Sequence, residues 1–168
     1  MEFTVVQGDI ATQRADALVN AAGTSLRMGS GVAGALRRAA NGPINEEAME
    51  QGPVDLGGVA VTDAYDLDAN YVIHAAAMPH YGDGRATAES IRDATRNALE
   101  RADELGCESL VVPVLGTGAA GFTFAEGARH VCAVIDDHDP TTLRDVRVIA
   151  YSTEEYDRLQ RVAADVRS

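Results

Sequence analysis

The chain has no lysine and no tryptophan. All 14 of its basic residues are arginine, against 26 acidic ones, which gives a formal net charge of −12. Nowhere do basic residues gather into a stripe that could release counterions from a polyphosphate backbone, so no double-stranded nucleic-acid partner is expected. Aromatic residues make up only 5% of the chain, so its core must come from Val, Ala, Leu and Ile. The two cysteines, Cys107 and Cys132, stand far apart with neither CxxC nor metal-ligand spacing. They are expected to be buried free thiols of a reducing cytoplasm, and no metal is implied. No apolar run approaches the ~18 residues of a membrane span, and no charged-then-apolar leader opens the chain. The reading is a cytoplasmic protein without membrane attachment.

The acidic residues spread along the whole length rather than forming a tail. Apolar periodicity accompanies them throughout, so the charge belongs to a folded surface and not to a disordered chain. Self-repulsion of this size is tolerated where salt shortens the Debye length to about 3 Å at 1 M, and a salt-adapted, halophilic setting is expected. At 168 residues the sequence fits one domain, 1–168, with a core large enough to need no staples.

The stretch from Asp16 to Ala40 organises the rest. Ala17-Leu18-Val19 reads as a buried strand ending at Asn20, and a loop with Gly23, Gly29 and Gly31 follows. A helix then places Val32, Ala35, Leu36 and Ala39 on one face, with Ser30 as N-cap and Asn41-Gly42 as its stop. Strand, flexible glycines and a helix N-terminus together can surround an anion with backbone N–H groups. Further strands are read at Phe3–Val6, Val59–Thr62, Tyr71–Ala76, Ser109–Leu115 and Val146–Tyr151. Helices are read at Ile44–Gln51, Ala88–Leu105, Phe124 to about Ile135 (with Asp136–Pro140 as the break) and Glu154–Val166. The alternation makes the class α/β.

Gly116-Thr117-Gly118-Ala119-Ala120-Gly121 fits G-x-G-x-x-G after a strand and before a helix, with Asp136 about twenty residues on where a ribose-binding acid would stand. That pattern keeps a nicotinamide-dependent oxidoreductase open as a rival. Against it, the loop comes late in the chain, and the Gly29–Gly31 unit demands its own explanation. Two glycine loops at strand ends suggest one ligand held between them.

Five segments in register resemble a macro domain, the ADP-ribose-binding, Appr-1″-p processing family. They are Gly8–Ile10, Asp16–Gly23, Gly29–Leu36, Tyr71–Ala75 and Val112–Phe122. The resemblance implies a three-layer α/β/α fold around a mixed sheet of about six strands. It also implies binding of ADP-ribose, or of ADP-ribosylated or O-acetylated derivatives, with no separate cofactor. By position, Asp9 would accept from the adenine amino group, although alone it reads as an Asx turn. Ile10 would offer its N–H and an apolar contact, and Tyr151 would stack on the adenine. Ser30, Gly31, Val32 and Ala33 would form one diphosphate loop. Thr117, Gly118, Ala119, Ala120, Gly121 and Phe122 would form the other. Asn20 would tie the loop backbone together, and His74 reads as a satisfied core histidine. His80, His130 and His138 have no partner visible in sequence.

Departures from the family pattern bear on catalysis. The positions where hydrolytic members carry an Asn and an Asp are Gly23 and Ala33 here. Phe122 is the one aromatic near the second loop that could approach the distal ribose. His80, Tyr81 and Asp83 offer replacement acid–base groups, so an ADP-ribosyl or O-acetyl-ADP-ribose hydrolase stays open beside simple binding.

Overall fold

The computed structural model describes residues 1–80, 83–117 and 120–168. Strand β1 (Thr4–Gln7) leads through a single 3-10 turn, Ile10–Thr12, to β2 (Ala17–Gly23). Helices α1 (Gly31–Ala40) and α2 (Ile44–Gln51) precede β3 (Val59–Asp63) and β4 (Tyr71–Met78). Then come α3 (Ala88–Glu104), β5 (Ser109–Pro113), α4 (Phe124–Asp137), β6 (Asp145–Ala150) and α5 (Thr153–Arg167). The strands form one six-stranded sheet in the order β1-β6-β5-β2-β4-β3. Every neighbouring pair is parallel except β3 with β4, so the sheet is mixed, as expected.

Alternation along the central strands explains the layers. Ala17, Val19, Ile73, Leu110 and Val112 point to one face, where Ile91 and Leu99 of α3, Val131 and Ile135 of α4 and Leu159 of α5 cover them. Leu18, Val72, Val111 and Ile149 point to the other, under Leu36 and Ala40 of α1 and Ile44. Strands covered on both sides read as nearly continuous apolar runs, which is what the sequence shows at Ser109–Pro113. Each fully buried Leu or Ile contributes roughly 1.5–3 kcal/mol of apolar transfer. Cys107 and Cys132 are buried and unbridged. Burial pushes their thiols up to about 11 and about 12, so both stay protonated.

Several boundaries differ from the sequence reading. Strand β2 continues past Asn20 to Gly23, because Ala21 and Ala22 pair with Ala75 and Ala76 of β4. Strand β5 stops at Pro113, whose ring nitrogen has no proton for a further ladder bond. Helix α4 runs through Asp136 to Asp137. In α1 the buried face is Ala33, Gly34, Leu36 and Ala40, while Ala39 is exposed. Gly34 sets that rotation: a Cβ there would lie 3.1 Å from the Gly29 carbonyl oxygen, so its absence lets the helix sit against its own entry loop.

The topology also stands against the oxidoreductase reading. A dinucleotide fingerprint follows the first strand of a doubly wound sheet, with its acid at a later strand end. Here the G-x-G-x-x-G stretch follows β5, and Asp136 is exposed in the last turn of α4. Among the described residues no helix is long and apolar enough to cross a membrane.

Candidate functional site

Because β2, β4 and β5 are parallel neighbours, their carboxyl ends open at the same edge of the sheet. A cleft of about 710 Å³ lies there. Its floor is Ala21, Ala22 and Gly23 from β2 and Ala77 and Met78 from β4. One wall is the β2–α1 loop and the start of α1, and the other is Val114, Gly116, Thr117 and Ala120 after β5.

The first wall is held from below. Leu26 and Met28 are fully buried plugs, while Arg27, Gly29 and Ser30 are exposed between and after them. The Met28 N–H donates to Asn45 Oδ1 at 2.8 Å, and Arg37 donates to the Met28 carbonyl at 3.1 Å. The chain then enters α1 through Gly31 at φ +62°, a left-handed conformation that glycine adopts without strain. Ser30 occupies the N-cap position, but its side chain makes no capping bond. The helices on the opposite face differ: Thr87, Thr123 and Ser152 close the N-termini of α3, α4 and α5. Helix α2 also lacks a side-chain cap, yet Glu46 and Glu47 occupy its first turn, whereas α1 has no acid there. The start of α1 thus presents N–H groups and the positive end of a helix dipole to the cleft, with no side chain answering them.

The second wall is shaped by close packing. A Cβ on Gly116 (φ +78°) would meet Ile91 at 2.3 Å, so glycine lets the turn settle onto α3. Thr117 and Ala120 line the cleft. Gly121 faces Arg85 instead, and Phe122 stands edge-on to His130 with ring centroids 5.8 Å apart. These two expected loop residues are therefore turned away from the cleft, and Phe122 does not reach over its floor. Gly118 and Ala119 lie outside the described residues, as does Tyr81.

Ser30, Gly31, Val32 and Ala33 all line the cleft, as does Gly23. Asp9, Ile10 and Tyr151 do not line it but stand along the same edge. Asp9 lies just past the end of β1 and Tyr151 just past β6, strands joined in parallel register through Gln7 and Ala150. Asp9 forms the Asx turn that its position suggests: Oδ1 accepts from the Ala11 N–H at 2.9 Å. Its Oδ2 makes no hydrogen bond among the described residues. The Ile10 side chain is 5% exposed and belongs to the core under α1. Tyr151 is 74% exposed, an aromatic face with nothing covering it.

The histidines divide clearly. His74 is fully buried, within hydrogen-bonding reach of Asn20 and Thr62, and burial pulls it down to about 4. Asn20 thus bonds His74 rather than the loop backbone, because it is a mid-strand residue paired with His74 in register. His130 accepts from Arg92 Nε at 3.0 Å, and burial followed by that guanidinium lowers its pKa. His138 meets Asp103 Oδ2 at 2.7 Å on the far side of the molecule. His80 alone lines the cleft. Asp83 is exposed in a turn, donating its N–H to the His80 carbonyl, and does not line it.

The electrostatics of the cleft are the reverse of the surface. Among the described lining residues there is no carboxylate, and Arg27 and His80 are the ionisable side chains. Sequence reasoning did not single out Ser25, Arg27 or Asn45. Asn45 carried no signal at all, since its role depends on α2 folding back beneath the loop.

An α/β sheet whose strand ends open into a cleft walled by main-chain loops is of the class that holds a ligand at that edge. A model of the Macro domain family matches residues 19–131, and the chain belongs to that family. An uncharacterized protein of Saccharolobus solfataricus is 41% identical over 162 residues, covering 94% of this chain and 89% of that protein. An uncharacterized Mycobacterium tuberculosis protein is 41% identical over 146 residues, 87% of this chain, and the match spans only 40% of that relative's length. Among solved structures, a mutant Oceanobacillus iheyensis macrodomain with ADPR superposes with a TM-score of 0.87 at 25% identity. That match covers 96% of this chain and 91% of the other. The Trypanosoma brucei macrodomain in complex with ADP-ribose shares the fold, with a TM-score of 0.81 at 24% identity over 94% of this chain and 67% of that one.

Proposed function

We propose that the chain binds ADP-ribose, free or attached to a protein, along the strand-end edge of the sheet. The observation that carries this reading is the open N-terminus of α1 in a cleft whose described lining holds no acid. A diphosphate sits against the N–H groups of Gly31, Val32 and Ala33 on one side and Thr117 and Ala120 on the other. Backbone donors at contact distance act there in spite of the −12 charge, which salt screens over longer distances. The adenosine end lies toward β6 and β1, with Asp9 Oδ2 accepting from the adenine amino group and Tyr151 stacking on the ring. The Oceanobacillus macrodomain with ADPR supports the choice of ligand.

Titration calorimetry in molar KCl with ADP-ribose, ADP, AMP and NAD tests the reading. ADP-ribose is expected to bind tightest, and tighter binding of NAD overturns it. A second reading, hydrolysis of an ADP-ribose derivative, is favoured by one observation: His80 and Ser25 both line this cleft.

A further inference from the structure

Helices α3 and α4 run the same way over one face of the sheet, and a groove of about 530 Å³ lies along their outer sides. Two contacts fix its direction. Arg92 Nε donates to His130 Nδ1 at 3.0 Å at one end, and His138 Nε2 lies 2.7 Å from Asp103 Oδ2 at the other. Charge changes sign between them. Arg92 and Arg96 line the first end, while Glu100, Asp137 and Asp139 line the second, about 12 Å further along the helices. Two more carboxylates stand at the second end, but both are answered within the chain. Asp103 accepts from the N–H groups of Thr141, Thr142 and Leu143 as well as facing His138, and Glu104 pairs with Arg101 at 3.4 Å.

The other charges are not answered. Among the described residues Glu100, Asp137 and Asp139 meet no cation, and Arg92 meets no carboxylate. Arg96 has only Asp93, three residues earlier on its own helix. Asp137 is the last residue of α4, whose last turn holds no basic side chain, so it faces the negative end of a helix dipole. The Met1 amine reaches that end, but it donates to the carbonyls of Ile135, Asp136 and His138 rather than to a carboxylate.

We propose that a second copy of this chain covers the groove, its own groove laid antiparallel about a two-fold axis through the middle. Reversal sets Arg92 and Arg96 of each copy against Glu100, Asp137 and Asp139 of the other, so every contact is made twice. A uniformly basic segment would meet the arginines as like charges, and an acidic one would meet the carboxylates; a reversed copy avoids both. Helix α3 has 17 residues and is about 26 Å long, and a two-helix face of that length suits a weak, reversible dimer. The repulsion between two chains of charge −12 acts over longer distances and is screened where the Debye length is about 8 Å, at 0.15 M salt. Nothing in this contact depends on what the strand-end cleft holds.

Sedimentation velocity at physiological ionic strength, from micromolar to millimolar protein, tests the pairing. The unaltered chain should pass from monomer to dimer within that range. Arg96→Glu should weaken the dimer about tenfold or more, because like charges then oppose each other across the axis. The double variant Glu100→Arg, Asp137→Arg should do the same with the opposite sign. All three positions are exposed, and unchanged thermal melts should show that both variants fold. Mixed together, the two variants should associate more tightly than either does with itself. A chain that stays monomeric at millimolar concentration overturns the proposal. So does a dimer unaffected by either variant, or a mixture that fails to restore association. Binding of an arginine-rich peptide to a monomer, lost in Glu100→Arg, would give the groove to a basic partner and overturn it as well.

Discussion

Asn20 Nδ2 lies 3.0 Å from His74 Nδ1, both residues fully out of water at paired positions of β2 and β4. Asn20 donates, the ring proton sits on Nε2, and Nε2–H is donated to Thr62 Oγ1 at 2.9 Å on β3. A polar chain thus crosses three strands directly behind the cleft floor. It holds a neutral imidazole in place and penalises a charged one.

Stability should therefore depend on pH above the carboxylate range. His74 titrates near 6.5 when unfolded, and burial holds it at about 4 in the fold. Below pH 6.5 the unfolded chain takes up a proton that the native state refuses, so stability falls as pH drops toward 4. The linkage amounts to about 2 kcal/mol between pH 7 and pH 5. Urea melts across that interval measure it, and His74→Gln should flatten the slope.

The open start of α1 makes stability and binding pull in opposite directions. Ser30→Asp would place a carboxylate where the serine hydroxyl makes no capping bond. It should raise stability by about 0.5–1 kcal/mol through capping and the helix dipole. The same charge would occupy the diphosphate position, and ADP-ribose affinity should fall beyond calorimetric detection. Unchanged affinity would remove α1 from the site.

Asp9 offers a cleaner probe of the purine end than deletion would. Asp9→Asn keeps an oxygen to accept from the Ala11 N–H, so the 3-10 turn survives. It replaces Oδ2 with a donor, which would oppose the adenine amino group in the proposed binding mode. ADP-ribose should weaken by about 1–3 kcal/mol, with melting unchanged. Calorimetry against ribose 5-phosphate as well as ADP-ribose would show whether the loss belongs to the adenine.

Gly127 should couple helix packing to the cleft. A Cβ there would lie 2.7 Å from the Leu115 carbonyl oxygen and 2.5 Å from Thr117 Cγ2. Gly127→Ala should cost about 1–3 kcal/mol as overpacking and displace the Thr117 turn. Weaker ADP-ribose binding from a residue outside the cleft lining is the expected signature.

Much of this was legible in the sequence because it is local. Ile44–Gln51 needed only helix periodicity, and the parallel core strands declared themselves as apolar runs. The end of β2 was misread because Ala21-Ala22-Gly23 looks like loop composition, and only pairing with β4 makes it strand. Phe122 follows the same logic: its ring turns toward His130, a contact set by how α4 packs. The Ser25–His80 contact joins residues 55 apart in sequence and exists because two strand ends meet, so no spacing rule could have announced it. Asp9 was readable as a turn former, and Oδ1 does accept from the Ala11 N–H, while Oδ2 has no hydrogen bond among the described residues.

The acidic surface leads to a salt prediction. With 26 acidic residues against 14 arginines, unfolding relieves repulsion at low ionic strength. The melting temperature should rise steeply between 0.1 M and molar KCl, as the Debye length shrinks from about 10 Å to about 3 Å. A flat response would mean that the surface charge is of no consequence for folding.

The entry into α1 separates two kinds of inheritance. A cradle of peptide groups is specified by dihedral angles, by a glycine at φ +62° and by a buried methionine held from beneath. None of that depends on which charges decorate the exterior. The outer residues can change their charge while the backbone at this helix entry keeps its shape.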